Sequence, residues 1–272
     1  MPRYRPSELI AFLHALGVQP KRWLSQNFLI DGNILRKIVA LAHIQKGDLI
    51  LEIGPGPGAL TEALLERGAK VIAVEKDSAF ASALEQRNLP RLQVRTADIL
   101  DVTCATLGEQ VKVVGNIPYH LTTPIIEWIM AERASVKSAT IMVQEEVARR
   151  MLAHPGEEGF GPLSLITQFF SHPRWGFTVP ASCFYPRPHV RSAVVHLEMG
   201  SLTLPIDPKM FLQVVHEAFG KRRKTLVSTL APRFGTAALQ ALFQELGKPN
   251  SVRPEELSLT EWVRLCALRS IF

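Results

Sequence analysis

Five short β-rich runs, separated by stretches with helical spacing, occupy the middle of this chain. They are Leu49-Ile-Leu-Glu-Ile53, Lys70-Val-Ile-Ala-Val74, Leu92-Gln-Val-Arg95, Val111-Lys-Val-Val114 and Ala139-Thr-Ile-Met-Val143, with helical patterns such as Ala59–Glu66 and Ser78–Arg87 between them. Strands that alternate with helices build βαβ units, so the expected class is α/β, a parallel sheet covered on both faces. A further run, Ser192-Ala-Val-Val-His-Leu197, is expected as an antiparallel edge strand. Around residues 200–208 the pattern changes. Asp207-Pro208 is a good helix start, and Phe211, Val214, Val215, Ala218 and Phe219 then recur at helical spacing. Breaks are expected near Pro232, Gly235, Gly247-Lys-Pro249 and Pro254. The expected organisation is a basic segment over 1–26, an α/β domain over 27–200 and a small all-helical domain over 201–272.

Composition narrows the class. With 47% hydrophobic residues in 272, the chain can bury a sizeable core, which excludes disorder and disulfide-dependent miniproteins. No apolar run approaches the roughly 18 residues of a membrane span. Glu8 and His14 interrupt the apolar stretch Leu9–Val18, which reads as a short amphipathic helix rather than a signal peptide. Cys104, Cys183 and Cys266 form no C-x-x-C pair, as for buried thiols in a reducing compartment, and the expected location is the cytoplasm. The histidines form no H-E-x-x-H pair, so no metal is expected. The net charge of +6 is uneven: +3 in residues 1–26, −1 in 27–199 and +4 in 200–272. Basic ends around a neutral middle point to a polyanionic partner.

Four motifs carry chemistry. Glu52-Ile-Gly-Pro-Gly-Pro-Gly58 follows a strand and precedes a helix, where glycines allow close approach of backbone to a ligand. Gly54, Gly56 and Ala59 also satisfy the dinucleotide pattern G-x-G-x-x-A. Glu75, 19 residues after Gly56, can accept both ribose hydroxyls of an adenosine-type cofactor. That fits NAD and S-adenosylmethionine equally. Asp98 is placed to accept an adenine amino group, with Ile99 against the ring. Gly115-Asn-Ile-Pro-Tyr119 separates the two readings, because a dehydrogenase does not need it. An enzyme that methylates an exocyclic amine needs acceptors for the N–H protons, here the Asn116 side-chain carbonyl and the Ile117 backbone carbonyl. It also needs a fixed turn at Pro118 and a stacking platform at Tyr119.

These motifs together resemble the Rossmann-like, S-adenosylmethionine-dependent adenine-N6 methyltransferases. Ser25-Gln-Asn-Phe-Leu-Ile-Asp31, Phe184-Tyr-Pro-Arg-Pro-His-Val190 with Ser192-Ala-Val-Val195, and Glu217-Ala-Phe-Gly-Lys-Arg-Arg-Lys-Thr225 narrow the resemblance to the rRNA adenine dimethylases. The resemblance implies cofactor contacts at Asn27, Leu29, Gly54, Glu75, Asp98 and Asn116, and target-base contacts at Asn116, Tyr119 and Phe184. It implies dimethylation of two adjacent adenines near the 3′ end of 16S rRNA, within the immature small ribosomal subunit, by a monomer. Three positions depart from the commonest family pattern: Lys76, His120 and Arg191.

Lys221-Arg-Arg-Lys224, read as wrapping a helix, is expected to touch RNA phosphates. Lys21, Arg22 and Trp23 read either as a segment closing over the ligand or as a loose arm. Three other functions stay in view: a large-subunit rRNA dimethylase, a non-catalytic assembly factor and an NAD dehydrogenase.

Overall fold

The computed structural model describes residues 4–20, 26–108, 110–200, 206–221 and 223–268. Lys21, Arg22, Trp23, Ser25 and Arg222 lie outside the described residues. The chain divides into two compact units. One runs through Ala148 and takes in His172–Met199; the other holds Arg149–Ser171 and the chain from Gly200 onward. The second unit therefore includes a segment well before the boundary expected near residue 200.

In the first unit, α1 (Pro6–Ala15) and the short β1 (Phe28–Leu29) precede α2 (Gly32–Leu41). There follow β2 (Leu49–Ile53), α3 (Ala59–Glu66), β3 (Lys70–Glu75), α4 (Ser78–Glu85) and β4 (Leu92–Thr96). Next come β5 (Val111–Asn116), α5 (Thr122–Ala131) and β6 (Val136–Gln144). The division between the units falls within α6 (Glu145–Leu152), and α7 (Pro162–Phe170) lies in the second unit. The chain returns to the first with β7 (Ser171–Val179), β8 (Phe184–Tyr185) and β9 (Ser192–Met199). The second unit is completed by α8 (Pro208–Phe219), α9 (Leu226–Phe234), α10 (Thr236–Glu245) and α11 (Leu259–Cys266).

The main sheet has seven strands in the order β4-β3-β2-β5-β6-β9-β7. The run from β4 to β6 is parallel, and β9 pairs antiparallel with β6. The α/β class is as the periodicity implies, and the central strands β2, β3 and β5 are buried nearly throughout, as continuous apolar runs require. The run at Ser192 is antiparallel as expected, but it is not an edge. It lies inside the sheet, and β7 takes the outer position. Pro173 and Gly176 interrupt the β pattern of that outer strand, and an edge is where a sheet tolerates Pro.

Local chemistry explains the helix starts. Asp31 caps α2 through the N–H groups of Asn33 and Ile34, Asp77 caps α4, and Asp207 caps α8 ahead of Pro208. Leu9 and Leu13 of α1 cluster with Phe28 and Phe80, so part of the basic N-terminal segment is a packed helix. In the second unit, Phe169 of α7 stacks on Phe211 of α8 with ring centroids 3.7 Å apart, which ties the early segment to the later helices. The expected break at Pro232 does not occur. Helix α9 carries Pro232 within it and stops at Gly235, whose φ is +80°. Cys104 and Cys266 are buried, but Cys183 is only half-buried, its Sγ 3.6 Å from Asp31 Oδ2.

Gly115 is the one glycine of the central strands whose size matters to the site. It pairs in register with Ile53 of β2, and a Cβ there would stand 2.9 Å from the Ile53 carbonyl oxygen. Gly115→Ala is therefore expected to push β5 away from β2 and cost about 1–3 kcal/mol, measured as a lowered urea-unfolding free energy.

Candidate active site

Parallel pairing brings the ends of four strands to one edge. Ile53 is level with Val74 on one side and Gly115 on the other, and Glu75 is level with Thr96. Gly54, Glu75, Asp98 and Asn116 thus leave the sheet side by side at its carboxyl edge, where open α/β sheets bind ligands. They surround an open cavity of about 850 Å³, whose wall also includes Asn27, Ile117, Pro118 and Tyr119. A second cavity of about 470 Å³ shares Phe28, Gly54 and Asn116 with the first, and adds Leu29 and Glu52.

Glu75 is buried, and its carboxylate is held from both sides. Oε2 accepts from Gly56 N–H at 3.0 Å and Oε1 from Asp77 N–H at 2.9 Å. Burial raises its pKa, and the N–H groups oppose that shift. Each oxygen retains acceptor capacity for a ligand hydroxyl. The glycine loop meets Glu75 because Gly54 and Gly56 both have positive φ, +64° and +52°.

Asp98 Oδ1 caps the turn at Leu100, and Oδ2 pairs with Lys76 Nζ at 2.7 Å. The Lys76 ammonium holds the Asp98 carboxyl below its usual range, against the opposing effect of its partial burial. Lys76, which in the sequence was only a departure from a pattern, here sits on the cavity wall next to the acceptor expected to read adenine.

Asn116 ends β5, and its Nδ2 donates to the Asn27 backbone carbonyl at 2.9 Å. Committing the NH₂ group to a carbonyl sets the amide orientation and leaves Oδ1 as the accepting end. Ile117 N–H donates to Met142 O at 3.0 Å, and Leu121 N–H to Pro118 O at 2.9 Å. These bonds hold the loop from which Tyr119 projects. Tyr119 Oη lies 2.8 Å from Ser192 Oγ, and burial raises the phenol pKa.

Eight of the expected residues (Asn27, Gly54, Glu75, Asp98, Asn116, Ile117, Pro118 and Tyr119) meet at the larger cavity. Leu29 faces the smaller one. Phe184 is on neither wall. It pairs with Leu29 across β1 and β8 and is 3% exposed within the core cluster, while its neighbour Tyr185 points outward. Strand alternation thus turns the Phe184 ring inward, and the expected second stacking wall is not formed by it in this conformation. The basic run is also placed differently. Helix α8 ends at Phe219, so Lys221, Arg223 and Lys224 lie in the turn before α9, and Arg223 has φ +67°. They line a separate cavity of about 510 Å³ together with Arg253, which is 29 residues away and was not singled out in the sequence. Among the described residues, no group of three or more His, Cys, Asp or Glu is arranged to hold a metal ion, and no helix is long and apolar enough to cross a membrane.

Glu52 was expected only as part of the glycine motif, yet it is the most strongly perturbed acid on these walls. It is 1% exposed, and its pKa is pushed up to about 8 by burial, with Glu75 adding to the rise. Thr61 lowers it somewhat, but neither carboxylate oxygen has a partner in regular hydrogen-bond geometry. A charged type inside an otherwise apolar strand was the available signal.

Comparisons with known proteins agree over nearly the whole chain. The sequence model for ribosomal RNA adenine dimethylase matches residues 17–267. A Protochlamydia amoebophila protein named ribosomal RNA small subunit methyltransferase A is 45% identical, over 97% of this chain and 96% of its own. One of the same name from Chlamydia caviae is 41% identical over 99% of both. Among solved structures, a dimethyladenosine transferase from Plasmodium falciparum superposes with a TM-score of 0.73 at 25% identity, covering 88% of this chain and 95% of the other. The 23S rRNA methyltransferase ErmE gives 0.71 at 25% identity, covering 88% and 98%.

The Glu52 carboxyl sets a pH signature for the unliganded protein. Its folded pKa of about 8 exceeds the ordinary value of 4.5, so the folded state holds a proton that the unfolded chain has released. Stability should therefore fall as pH rises between these values, at on the order of 1.4 kcal/mol per pH unit from this group. Glu52→Gln is expected to remove that slope and to be the more stable protein above pH 8, in urea titrations across pH 5–9.

Proposed function

Because this chain belongs to the ribosomal RNA adenine dimethylase family, we propose that it dimethylates N6 of two adjacent adenines near the 3′ end of 16S rRNA. It is an S-adenosylmethionine-dependent rRNA methyltransferase. The observation that carries the reading is the Asn116 amide, oriented by the Asn27 carbonyl at the mouth of a cavity that holds ribose and adenine acceptors. The set of acceptors fits the cofactor. Glu75 has capacity for two hydroxyls and Asp98 for an amino group. Glu52, a buried carboxyl on the adjoining wall with no hydrogen bond of regular geometry, suits an ammonium. A ligand with a nucleoside end and an amino-acid end matches both cavities.

Bound there, S-adenosylmethionine supplies an electrophilic methyl group on a sulfonium. The protein's work is to place and polarise the amine. Its lone pair is delocalised into the ring, and hydrogen bonds to Asn116 Oδ1 and the Ile117 carbonyl draw it toward tetrahedral geometry and stabilise the positive charge that develops. Pro118 fixes the turn that presents both acceptors, and Tyr119 stacks on the unstacked base. No side chain of this loop has to act as a strong base.

Lys221, Arg223, Lys224 and Arg253 provide a cationic surface for RNA phosphates, tempered by the Arg253–Glu255 pair. The substrate in this reading is rRNA in the immature small subunit, and the protein acts in the cytoplasm. Cavity, acceptors and loop all come from one chain, so a monomer suffices. ErmE is named for 23S rRNA, which keeps a large-subunit target as the second reading. The much closer relatives are named for the small subunit, and mapping dimethylated adenines in rRNA from cells lacking this protein separates the two.

Asn116→Ala should lower tritiated-methyl incorporation into immature small subunits by about 100-fold or more; near-normal turnover would remove the amide from the mechanism. Glu75→Ala should weaken cofactor affinity about 10- to 100-fold by calorimetry, through loss of charge-assisted hydrogen bonds.

A further inference from the structure

The loop that carries Asn116 and Tyr119 is fastened along its backbone, but the Tyr119 ring is fastened at its far end by a residue 73 positions later in the chain. Tyr119 Oη and Ser192 Oγ are 2.8 Å apart. Ser192 itself has no freedom to follow a moving ring. It is fully buried, it begins β9, and it lies opposite Gln144 at the end of β6. The residues beside that pair are locked as well: Glu145 N–H donates to the Arg191 carbonyl at 3.0 Å, and Arg191 Nε meets Glu145 Oε2 at 2.8 Å. Arg191, a departure from the family pattern, thus has a defined partner in this chain.

We propose that Ser192 is a positioning residue for methyl transfer: its hydroxyl fixes the direction in which the Tyr119 ring axis points, and through it the position of the stacked adenine. The inference rests on the reading of Tyr119 as the stacking platform. A tyrosine on a short loop can swing about two side-chain torsions, and the Asn116 and Ile117 acceptors lie only two or three residues away. A tilted ring would aim the amine away from both. The hydroxyl end is the long lever of the ring, so a bond there restrains tilt better than any contact near Cβ. The partner hydroxyl is carried on a strand of the central sheet, so the platform is referenced to the same rigid frame as the cofactor acceptors. This requirement applies twice over, because the monomethylated amine must be presented again for the second transfer.

The test compares wild type, Ser192→Ala, Tyr119→Phe and the double variant, with immature small subunits and labelled S-adenosylmethionine. Each single variant should lower kcat about 10- to 100-fold, the range that misalignment of reactants produces. KM for the cofactor should be unchanged, and the monomethyl product should accumulate. The double variant should be no slower than the slower single, because both remove the same bond. A wild-type kcat for Ser192→Ala, or losses that multiply in the double variant, would overturn the inference. If Ser192→Ala melts early, Tyr119→Phe decides alone: it removes one oxygen from a loop residue, and a normal kcat there is equally fatal. Asn116→Ala separates the levels. If it is inactive while Ser192→Ala is normal, only this inference fails; if it is active, the reading beneath it fails.

Discussion

In-register parallel pairing of β2 with β3 and β5 is the constraint on which the site depends. Three residues far apart in the chain, Gly54, Glu75 and Asn116, become neighbours because Ile53, Val74 and Gly115 are level in adjacent strands. A slip of one position would turn every side chain of a strand to the opposite face. The tightness of that pairing explains why Gly115 has no side chain, since the Ile53 carbonyl occupies the space a Cβ would need. Strand packing and the position of the Asn116 amide are therefore one problem.

The same edge concentrates electrostatic cost. Two carboxyls, Glu52 and Glu75, are buried near each other, and both have raised pKa values chiefly through loss of water. They are treated differently. Glu75 is offset by two well-formed backbone N–H bonds, whereas Glu52 has only Thr61 to oppose its burial, with no bond of regular geometry. A buried acid so weakly paired is expensive in a protein optimised only for stability, and such groups gather at binding sites. Asp98 is a third case, more exposed and held ionised by Lys76. The wall thus presents an unsatisfied acid, a pre-organised acid and a salt-bridged acid, each ready for a different part of one ligand.

Much of this was legible before any coordinates. Strands such as Leu49–Ile53 are apolar except at Glu52, so their class and burial follow largely from composition, and the glycines at 54 and 56 announce a backbone that must turn tightly. Asp207-Pro208 names its helix start. The failures are equally physical. The strand Ser171–Val179 hides behind Gly176 and Pro173, and within a sheet such a Pro is tolerated at an edge. Pro232 was read as a break, yet a nine-residue helix carries it. Phe184 was expected at the base because the resemblance implied it, but which face of a strand it occupies depends on pairing with β1.

What the sequence by itself determined is the chemistry available: a glycine loop, acids at successive strand ends, and an amide, a proline and a tyrosine in one short loop. These are local properties, set by residue type and by periodicity along the chain. Only the tertiary structure decided how those groups are aimed. The Asn116 amide is turned by a carbonyl 89 positions earlier, Tyr119 is held by a serine 73 positions later, and Arg253 joins the basic turn from 29 residues beyond its end. Orientation is a property of partners, and partners distant in sequence are chosen by sheet register and packing rather than by any local signal.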